Sequence, residues 1–434
     1  MLGALALVCL LLLGAAGYLA YRFKAAPEDH LAQVVPQDAV FYANVFIRPS
    51  TSQAKDLGHL VAKVVETDAG EEISEGLQDV VDPCGANFDT LRELGGTQIA
   101  LFVMADGSVA CALDAAVPDG AALNSQATDE VRGAFVFGDV AAVRAASSTT
   151  ERNSLASDPD HQSAIAASEP DRLAFIQRAS SFERSPRDLG SLYAVDKIFS
   201  TVQHLVVRVE EDRLVLEGSV GSDGAELWQE PPAPIAAGAP RDAWFVLSLR
   251  NLSGWLDALT SHADRFTSSP VGSREELFGL SRERLWGWSD AARLWVAGEG
   301  LDIGAGAEVV ADSSTLADRA AADVLRLKSQ VDSPFLKGFV SGMLVGAAKD
   351  VLTVRVGDER EGTLADHERF IEAEAWLDQP ETSLYLDIAA AKAASSLLPL
   401  DQEMRALLSH LDRLIIGGGQ GGDNFTWRAV LGVK

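Results

Sequence analysis

Four segments of the chain share one pattern, in which a proline opens an apolar, β-rich run and an aromatic residue follows five positions later. The pairs are Pro36 with Phe41, Pro170 with Phe175, Pro240 with Phe245, and Pro380 with Tyr385. Proline has no N–H, so at the mouth of a strand it removes no hydrogen bond from the ladder. The pattern therefore predicts four strands.

Apolar residues at helical spacing follow each of these strands, which predicts a strand-then-helix unit four times. The stripes are Leu57, Leu60, Val61, Val64 and Val65; Leu192, Val195, Phe199 and Val202; Leu252, Trp255, Leu256 and Leu259; and Met404, Leu407, Leu408 and Leu411 behind Asp401 as an N-cap. Pro36 and Pro240 are 204 residues apart, and Pro170 and Pro380 are 210 apart. The chain is therefore predicted to be an internal duplication of two tandem, similar halves.

A proline-rich stretch, residues 229–240, predicts the linker between a first half at 35–228 and a second half at 241–434. Hairpins are expected at 97–113, 204–220, 293–311 and 413–433, helices at 316–327 and 335–348, and loops at 148–163 and 220–240. Adjacent hairpins imply antiparallel pairing, so the fold class expected for each half is α+β, an antiparallel sheet with covering helices.

The N-terminus carries nineteen uncharged residues, Leu2 to Ala20, which at about 1.5 Å rise per residue just cross a roughly 30 Å hydrocarbon layer. We expect residues 1–24 to form a transmembrane anchor. The alternative is a cleaved signal peptide, although its hydrophobic core is usually shorter and preceded by basic residues. Arg22 and Lys24 follow the span and favour a cytoplasmic domain, whereas long following domains are exported largely regardless of such charges.

The 434 residues include 36 Lys and Arg against 63 Asp and Glu, a formal net charge of −27. Nucleic-acid partners are excluded, because binding a phosphate backbone requires a basic face. Outside the anchor the cysteines are Cys84 and Cys111, which are compatible with one disulfide in an oxidising compartment. Two separate thiols, with Cys111 buried in a strand, are the alternative.

Candidate chemistry is sparse along the chain, and we expect no metal, cofactor or catalytic motif. No two histidines share one helix or strand face, and a zinc site needs three or four converging ligands. Gly298 to Gly304 and Gly418 to Phe425 are glycine-rich, but their patterns favour turns over nucleotide or calcium loops. Asp158 and Asp160 stand beside His161, where a turn with an N-cap is the first interpretation and an acid/base site the second. The histidines are His30, His59, His161, His204, His262, His367 and His410.

Three tryptophans lie within ten residues, and the pair Trp286 and Trp288 would point both rings the same way in an extended chain. Such a pair is a candidate lining for a groove that binds lipid or sugar. Burial in the core beneath a sheet is the more ordinary use of aromatic rings of this size.

The run from Val35 to Tyr42, with Pro49 and Gln53 after it, resembles the start of the bacterial domain-of-unknown-function family 3352. Residues 158–175 resemble the middle segment of that family and residues 206–216 its hairpin. The resemblance covers most of the chain after residue 34. It implies a single-span protein with a large domain outside the cytoplasm, and it implies no activity.

These observations predict a membrane-anchored extracytoplasmic protein with a non-catalytic binding or structural role in the cell envelope. Its expected partners are the bilayer, through residues 2–20, and a lipid or protein ligand. The alternative is a hydrolase whose active site is assembled from distant carboxylates such as Asp158 and Asp160.

Overall fold

The computed structural model describes residues 28–64, 78, 81–86, 91, 96–115, 125–168, 171–178, 202–220, 236–253, 287–298, 302–330, 341–358, 360–377, 382–394, 408–421 and 424–434. The chain divides into two compact units. Unit 1 contains the described residues up to 178, residues 202–219 and the last two residues, and unit 2 contains the described residues of 220–432. No described helix is long and apolar enough to cross a membrane, and Leu2 to Ala20 lie outside the described residues.

Unit 1 is built on a sheet with the strand order β8-β7-β6-β1-β2-β3-β5-β4. The described pairings in this unit are antiparallel. Its elements are β1 Ala39–Phe46, α1 Thr51–Val64, β2 Gln98–Met104, β3 Val109–Leu113, β4 Ala127–Val131, β5 Ala134–Gly138, α2 Val140–Ser147, α3 Pro159–Ala167, β6 Ala174–Arg178, β7 Val202–Glu210 and β8 Arg213–Val220.

The core of unit 1 lies on one face of this sheet, because alternate residues of β1 and β2 turn large side chains to the same side. Tyr42, Phe102 and Phe175 are each at most 1% exposed. A 3-10 turn at Leu31–Gln33 packs over them together with residues of α2 and α3. This layer covers the sheet on that face.

Unit 2 has the strand order β16-β15-β14-β9-β10-β11-β13-β12, again with antiparallel pairing. The helix α4 packs on β12 and β13, and α5 places Phe370 against Tyr385 of β14. Its elements are β9 Ala243–Arg250, β10 Ser289–Ala297, β11 Gly304–Ala311, α4 Ser314–Gln330, β12 Met343–Ala348, β13 Val351–Val356, α5 Glu368–Glu374, β14 Thr382–Asp387, α6 Ile388–Ala394, β15 Leu411–Gly421 and β16 Asn424–Val433.

The four strands predicted after the prolines are confirmed as β1, β6, β9 and β14, and each contains its aromatic residue. The first helical stripe lies in α1 as far as Val64, and Leu57 and Leu60 are fully buried there, whereas Val65 is outside the described residues. The helix predicted at 316–327 lies within α4. Most of the other three stripes, including Asp401, lies outside the described residues.

Three predictions about secondary structure are wrong. Residues 343–348 form the strand β12, although 335–348 was expected to be one helix. Val202 and Leu411 begin strands, so neither belongs to a helical stripe. The loop expected at 148–163 contains a 3-10 turn, Leu155–Ser157, and the first part of α3, and the loop expected at 220–240 contains the last residue of β8 and a 3-10 turn, Ala236–Gly238. Short apolar runs of small residues fit both periods, which explains the first error.

Candidate functional site

A small set of hydrogen bonds, which we call the proline clasp, fixes the start of the first strand in each unit. In unit 1, Pro36 forms an isolated β-bridge with Ser154. The N–H of Leu155 donates to the carbonyl of Val35 at 2.8 Å, and the N–H of Ala39 donates to the carbonyl of Pro36 at 3.1 Å. The clasp thereby ties two segments that lie about 120 residues apart in the sequence.

The clasp of unit 2 has the same bonds at matching positions. Pro240 forms an isolated β-bridge with Thr363. The N–H of Leu364 donates to the carbonyl of Ala239 at 2.7 Å, and the N–H of Ala243 donates to the carbonyl of Pro240 at 2.9 Å. A 3-10 turn follows the bridge in each unit and leads directly into a helix.

Beside the clasp of unit 1, polar side chains close the surface. Asp158 is the N-cap of α3, and its Oδ1 accepts from the N–H groups of Asp160 and His161 at 2.8 and 3.0 Å. Its Oδ2 accepts from Nε2 of Gln37 at 3.2 Å. Asp158 is therefore held by a helix start and by the segment that enters β1.

At the corresponding position in unit 2, beside its clasp, the surface forms a cleft of about 390 Å³. Two arginines, two carboxylates and one imidazole line it: Arg241, Asp242, Arg360, Glu361 and His367. Arg241 and Asp242 directly follow the clasp proline, and His367 is the N-cap residue of α5. The clasp therefore brings together groups that are more than 100 residues apart in the chain.

Arg360 forms one wall of this cleft and is held from two sides. Its guanidinium donates to the carboxylate of Asp242 and to the backbone carbonyl of Asp302, and it lies 3.5 Å from the Asp302 carboxylate. Gly298, at a φ of +91°, lies directly behind the guanidinium, where any Cβ would overlap it. The Nε of Arg360 is buried and has no hydrogen-bond partner among the described residues.

His367 contributes the imidazole of the cleft. Its backbone N–H donates to the carbonyl of Leu364 at 2.9 Å, which places the ring at the end of the 3-10 turn. The Nδ1 atom is buried and lacks a hydrogen-bond partner within the described part of the chain. A buried polar atom without a partner costs about 1–3 kcal/mol, and Nδ1 is closed off from the cleft in this conformation, so a ligand reaches it only when the ring turns.

The structure places the predicted acid/base residues in structural roles. His161 is 4% exposed, its Nδ1 lies 2.5 Å from Oε1 of Gln177, and its ring packs edge-on against Tyr42 and Phe175. Asp160 lies on the exposed side of α3. The carboxylate of Asp158 is thus part of a helix cap, and the imidazole of His161 is part of the core.

A charged cluster in unit 2 is internally paired. Arg369 donates to Asp387 and Asp412, and Arg413 donates to Asp412 and Glu372, with N–O distances of 2.6 to 3.2 Å. Burial alone would raise the pKa of Asp412, but the hydrogen bonds from both guanidinium groups outweigh it and lower that pKa. The cluster ties α5 to β14 and β15.

Cys84 and Cys111 form a disulfide with Cα atoms 5.8 Å apart, and both residues are at most 1% exposed. Trp286 lies outside the described residues. Trp288 is half-buried and packs against the cluster of Ala320, Ala321 and Leu352 beneath α4.

The two glycine-rich segments belong to hairpins. Gly298 follows β10 and Gly304 begins β11, whereas Gly418 to Gly421 form the end of β15. No group of three or more His, Cys, Asp or Glu side chains in the described residues is arranged to hold a metal ion.

The cleft was missed in the sequence, although a signal for it exists. Residues 154–158 read Ser-Leu-Ala-Ser-Asp and residues 363–367 read Thr-Leu-Ala-Asp-His, 209 positions later. The proline segments match in the same way, as Pro36-Gln37-Asp38 and Pro240-Arg241-Asp242. Aligning both pairs of segments places His367 beside Arg241.

No family model matches this chain. No curated protein matches it either. Among solved structures, the chain is aligned with the structure of crystal form I of TP0453 at 10% sequence identity and a TM-score of 0.13, over 76% of this chain and 93% of that chain. At that TM-score the alignment supports no conclusion about fold or function.

Proposed function

We propose that this protein is a membrane-anchored, extracytoplasmic binding protein of the cell envelope, built from two copies of one α+β unit. We further propose that the cleft of unit 2 binds a small polar ligand through an anionic group. The observation that carries the binding function is the cleft itself, which is lined by two guanidinium groups and by the imidazole of His367.

The duplication is supported by the strand orders of the two units. Read from β8 to β4, unit 1 has three strands from its C-terminal part, then its first three strands, then a hairpin in reversed order. Unit 2, read from β16 to β12, has the same order position by position. The two clasps repeat the same backbone bonds within 0.2 Å. Eight strands in one shared order, with a matching clasp, favour a common origin of the two units.

The extracytoplasmic location is supported by the disulfide between Cys84 and Cys111. Disulfides persist in oxidising compartments and are rare where glutathione and thioredoxin keep thiols reduced. The apolar run from Leu2 to Ala20 supplies the anchor, in keeping with the resemblance to the domain-of-unknown-function family 3352.

The ligand class follows from the groups that line the cleft. Arg241 is exposed at its rim, while Arg360 is fixed by Asp242 and Asp302 and presents a rigid guanidinium. Guanidinium groups bind phosphate and carboxylate through paired N–H donors. The imidazole of His367 also lines the cleft, and a ring nitrogen of histidine can donate to or accept from such a group.

Isothermal titration of the purified protein tests this binding, with inorganic phosphate, glycerol 3-phosphate and phosphoethanolamine as probes. We expect at least one probe to bind, and Arg241→Ala and His367→Ala each to weaken it about tenfold or more, because a hydrogen bond to a charged group contributes about 1.5–3 kcal/mol. Arg326→Ala is the matched control, since Arg326 is an exposed arginine on α4 of the same unit. Absence of binding by all three probes, or equal losses in all three variants, would contradict the proposal.

A further inference from the structure

Residues 28–35, which we call the crossing segment, run the length of β1 on the covered face of unit 1. At one end, the backbone carbonyl of Glu28 accepts a hydrogen bond from the side chain of Gln98. Gln98 pairs with Phe46, the last residue of β1. At the other end the segment leads into Pro36, which precedes the start of β1. Eight strand residues span about 23 Å, so the crossing segment joins two distant ends of the sheet.

The crossing segment is packed firmly against the sheet. Leu31, Ala32, Val34 and Val35 are each at most 2% exposed and belong to the main core of unit 1. Burial of several apolar side chains at roughly 25 cal/mol per Å² of apolar surface makes detachment of this segment costly. It therefore acts as part of the fold and not as a flexible tether.

Asp29 adds a polar attachment to this packing. Its Oδ1 accepts from the hydroxyl of Tyr42 at 2.7 Å and from the N–H of Ala32 at 3.2 Å. Burial, and then the charge of Asp29, raise the pKa of Tyr42 well above its ordinary value, so the phenol remains a proton donor. Arg172 lies 5.6 and 5.4 Å from the ring centroids of Phe46 and Phe175, and Asp29 is the negative charge that acts on it.

The length of chain before the crossing segment is short. Lys24, the last residue of the anchor predicted at 1–24, is four residues before Glu28. Four residues span at most about 14 Å even when fully extended. If the anchor ends at the headgroups with Lys24, Glu28 lies within about 14 Å of them, whereas the start of β1 lies about 23 Å from the end of β1 beside Glu28.

We propose that the short connection between the anchor and Glu28 holds unit 1 against the bilayer, so that the end of its sheet at which β1 ends faces the lipid headgroups. The proposal rests on the membrane anchor of the proposed function. Exposed Thr51 marks this end, since α1 begins five residues after β1, and the neighbouring Ser50 bonds to Asp171 just before β6. Exposed Arg152 marks the opposite end, because it lies beside the clasp at Ser154.

Energy transfer to the membrane surface tests this orientation. In two variants of the full chain, p-azidophenylalanine replaces Thr51 or Arg152 and is coupled to a donor dye. Each variant is placed in vesicles of phosphatidylglycerol and phosphatidylethanolamine whose headgroups carry an acceptor dye. We expect the donor at 51 to lie about 20 Å closer to the acceptor plane than the donor at 152. Insertion of twenty Gly and Ser residues between Ala26 and Pro27 should abolish this difference, because a long flexible connection between the anchor and Glu28 no longer limits their distance.

Flotation of the same vesicles separates the two ways in which the idea can fail. A chain that does not float with the vesicles refutes the anchor and this orientation together. A chain that floats, but gives equal transfer from both positions or more from 152, refutes the orientation alone. A difference that persists with the inserted linker would overturn the proposal as well, because the short connection before Glu28 would then not be what orients unit 1.

Discussion

Gly306 lies opposite Trp295 in the antiparallel pair of β10 and β11, and the indole covers the glycine. Trp295 is only 8% exposed, and a Cβ on Gly306 would overlap its ring. The guanidinium of Arg293 lies 5.7 Å from the centroid of the same ring. The site is thus a place where the absence of a side chain allows a large aromatic residue to lie flat on the sheet.

Gly306→Ala should lower the free energy of unfolding by about 1–3 kcal/mol, because the added methyl group displaces the indole in a packed site. Gly346→Ala is the matched control: it also lies in a strand of unit 2, and its added methyl group would meet nothing within 4 Å. Urea unfolding of both variants measures the difference. Equal stability of the two variants would show that Trp295 has room to move.

At the scale of elements, the helix α3 shows how a motif can suggest chemistry while serving the fold. Asp158 and Asp160 next to His161 resemble an acid/base group in the sequence. In the structure Asp158 caps α3, and Pro159 takes the first helical position, where its missing N–H is not needed. The predicted N-cap is confirmed, and the hydrolase alternative remains a prediction that the same residues can test.

Asp158→Ala should lower the free energy of unfolding by about 1 kcal/mol, because two N–H groups at the start of α3 lose their acceptor. Asp160→Ala should change it by less than about 0.5 kcal/mol, since the Asp160 side chain is exposed. Thermal unfolding at neutral pH measures both. A loss of hydrolysis of an ester substrate in Asp160→Ala, with stability unchanged, would favour the catalytic alternative.

The elements that the sequence revealed are those with a long, single period. The strands behind the prolines and the helices α1 and α4 were predictable, because their apolar residues repeat over many positions. The strand β12 was not, since Met-Leu-Val-Gly-Ala-Ala is apolar throughout and its alternating exposure arises only from packing against α4. The cleft was not predictable from local motifs, because Arg241 and His367 meet only through the clasp.

At the scale of the whole molecule, the disulfide both stabilises the fold and supports the proposed oxidising compartment. Cys84 and Cys111 are 27 positions apart, and a bridge of this kind typically contributes about 2–5 kcal/mol to stability. The chain contains one other cysteine, Cys9, within the proposed anchor. The oxidation state of the three cysteines therefore tests the proposed location and the disulfide together.

Bacterial cells are quenched with acid, and the protein is denatured and alkylated with a maleimide polymer. We expect one polymer on the full chain without reduction, at Cys9, and three after reduction. A chain that lacks residues 1–24 should take up two without reduction, because it stays in a reducing compartment. Gel mobility measures the number of adducts. Three adducts on the unreduced full chain would contradict export or the bridge.

The two proline clasps also determine when each unit can finish folding. Pro36 forms its bridge with Ser154 and Pro240 forms its bridge with Thr363, so each bridge closes a loop of roughly 120 residues. The entropy of closing such a loop costs on the order of 4 kcal/mol before any of its contacts form. If the chain is exported from its N-terminus as proposed, the clasp of unit 1 can form while unit 2 is still being translocated. The starts of β1 and β9 lack their bridge partners until Ser154 and Thr363, respectively, have crossed.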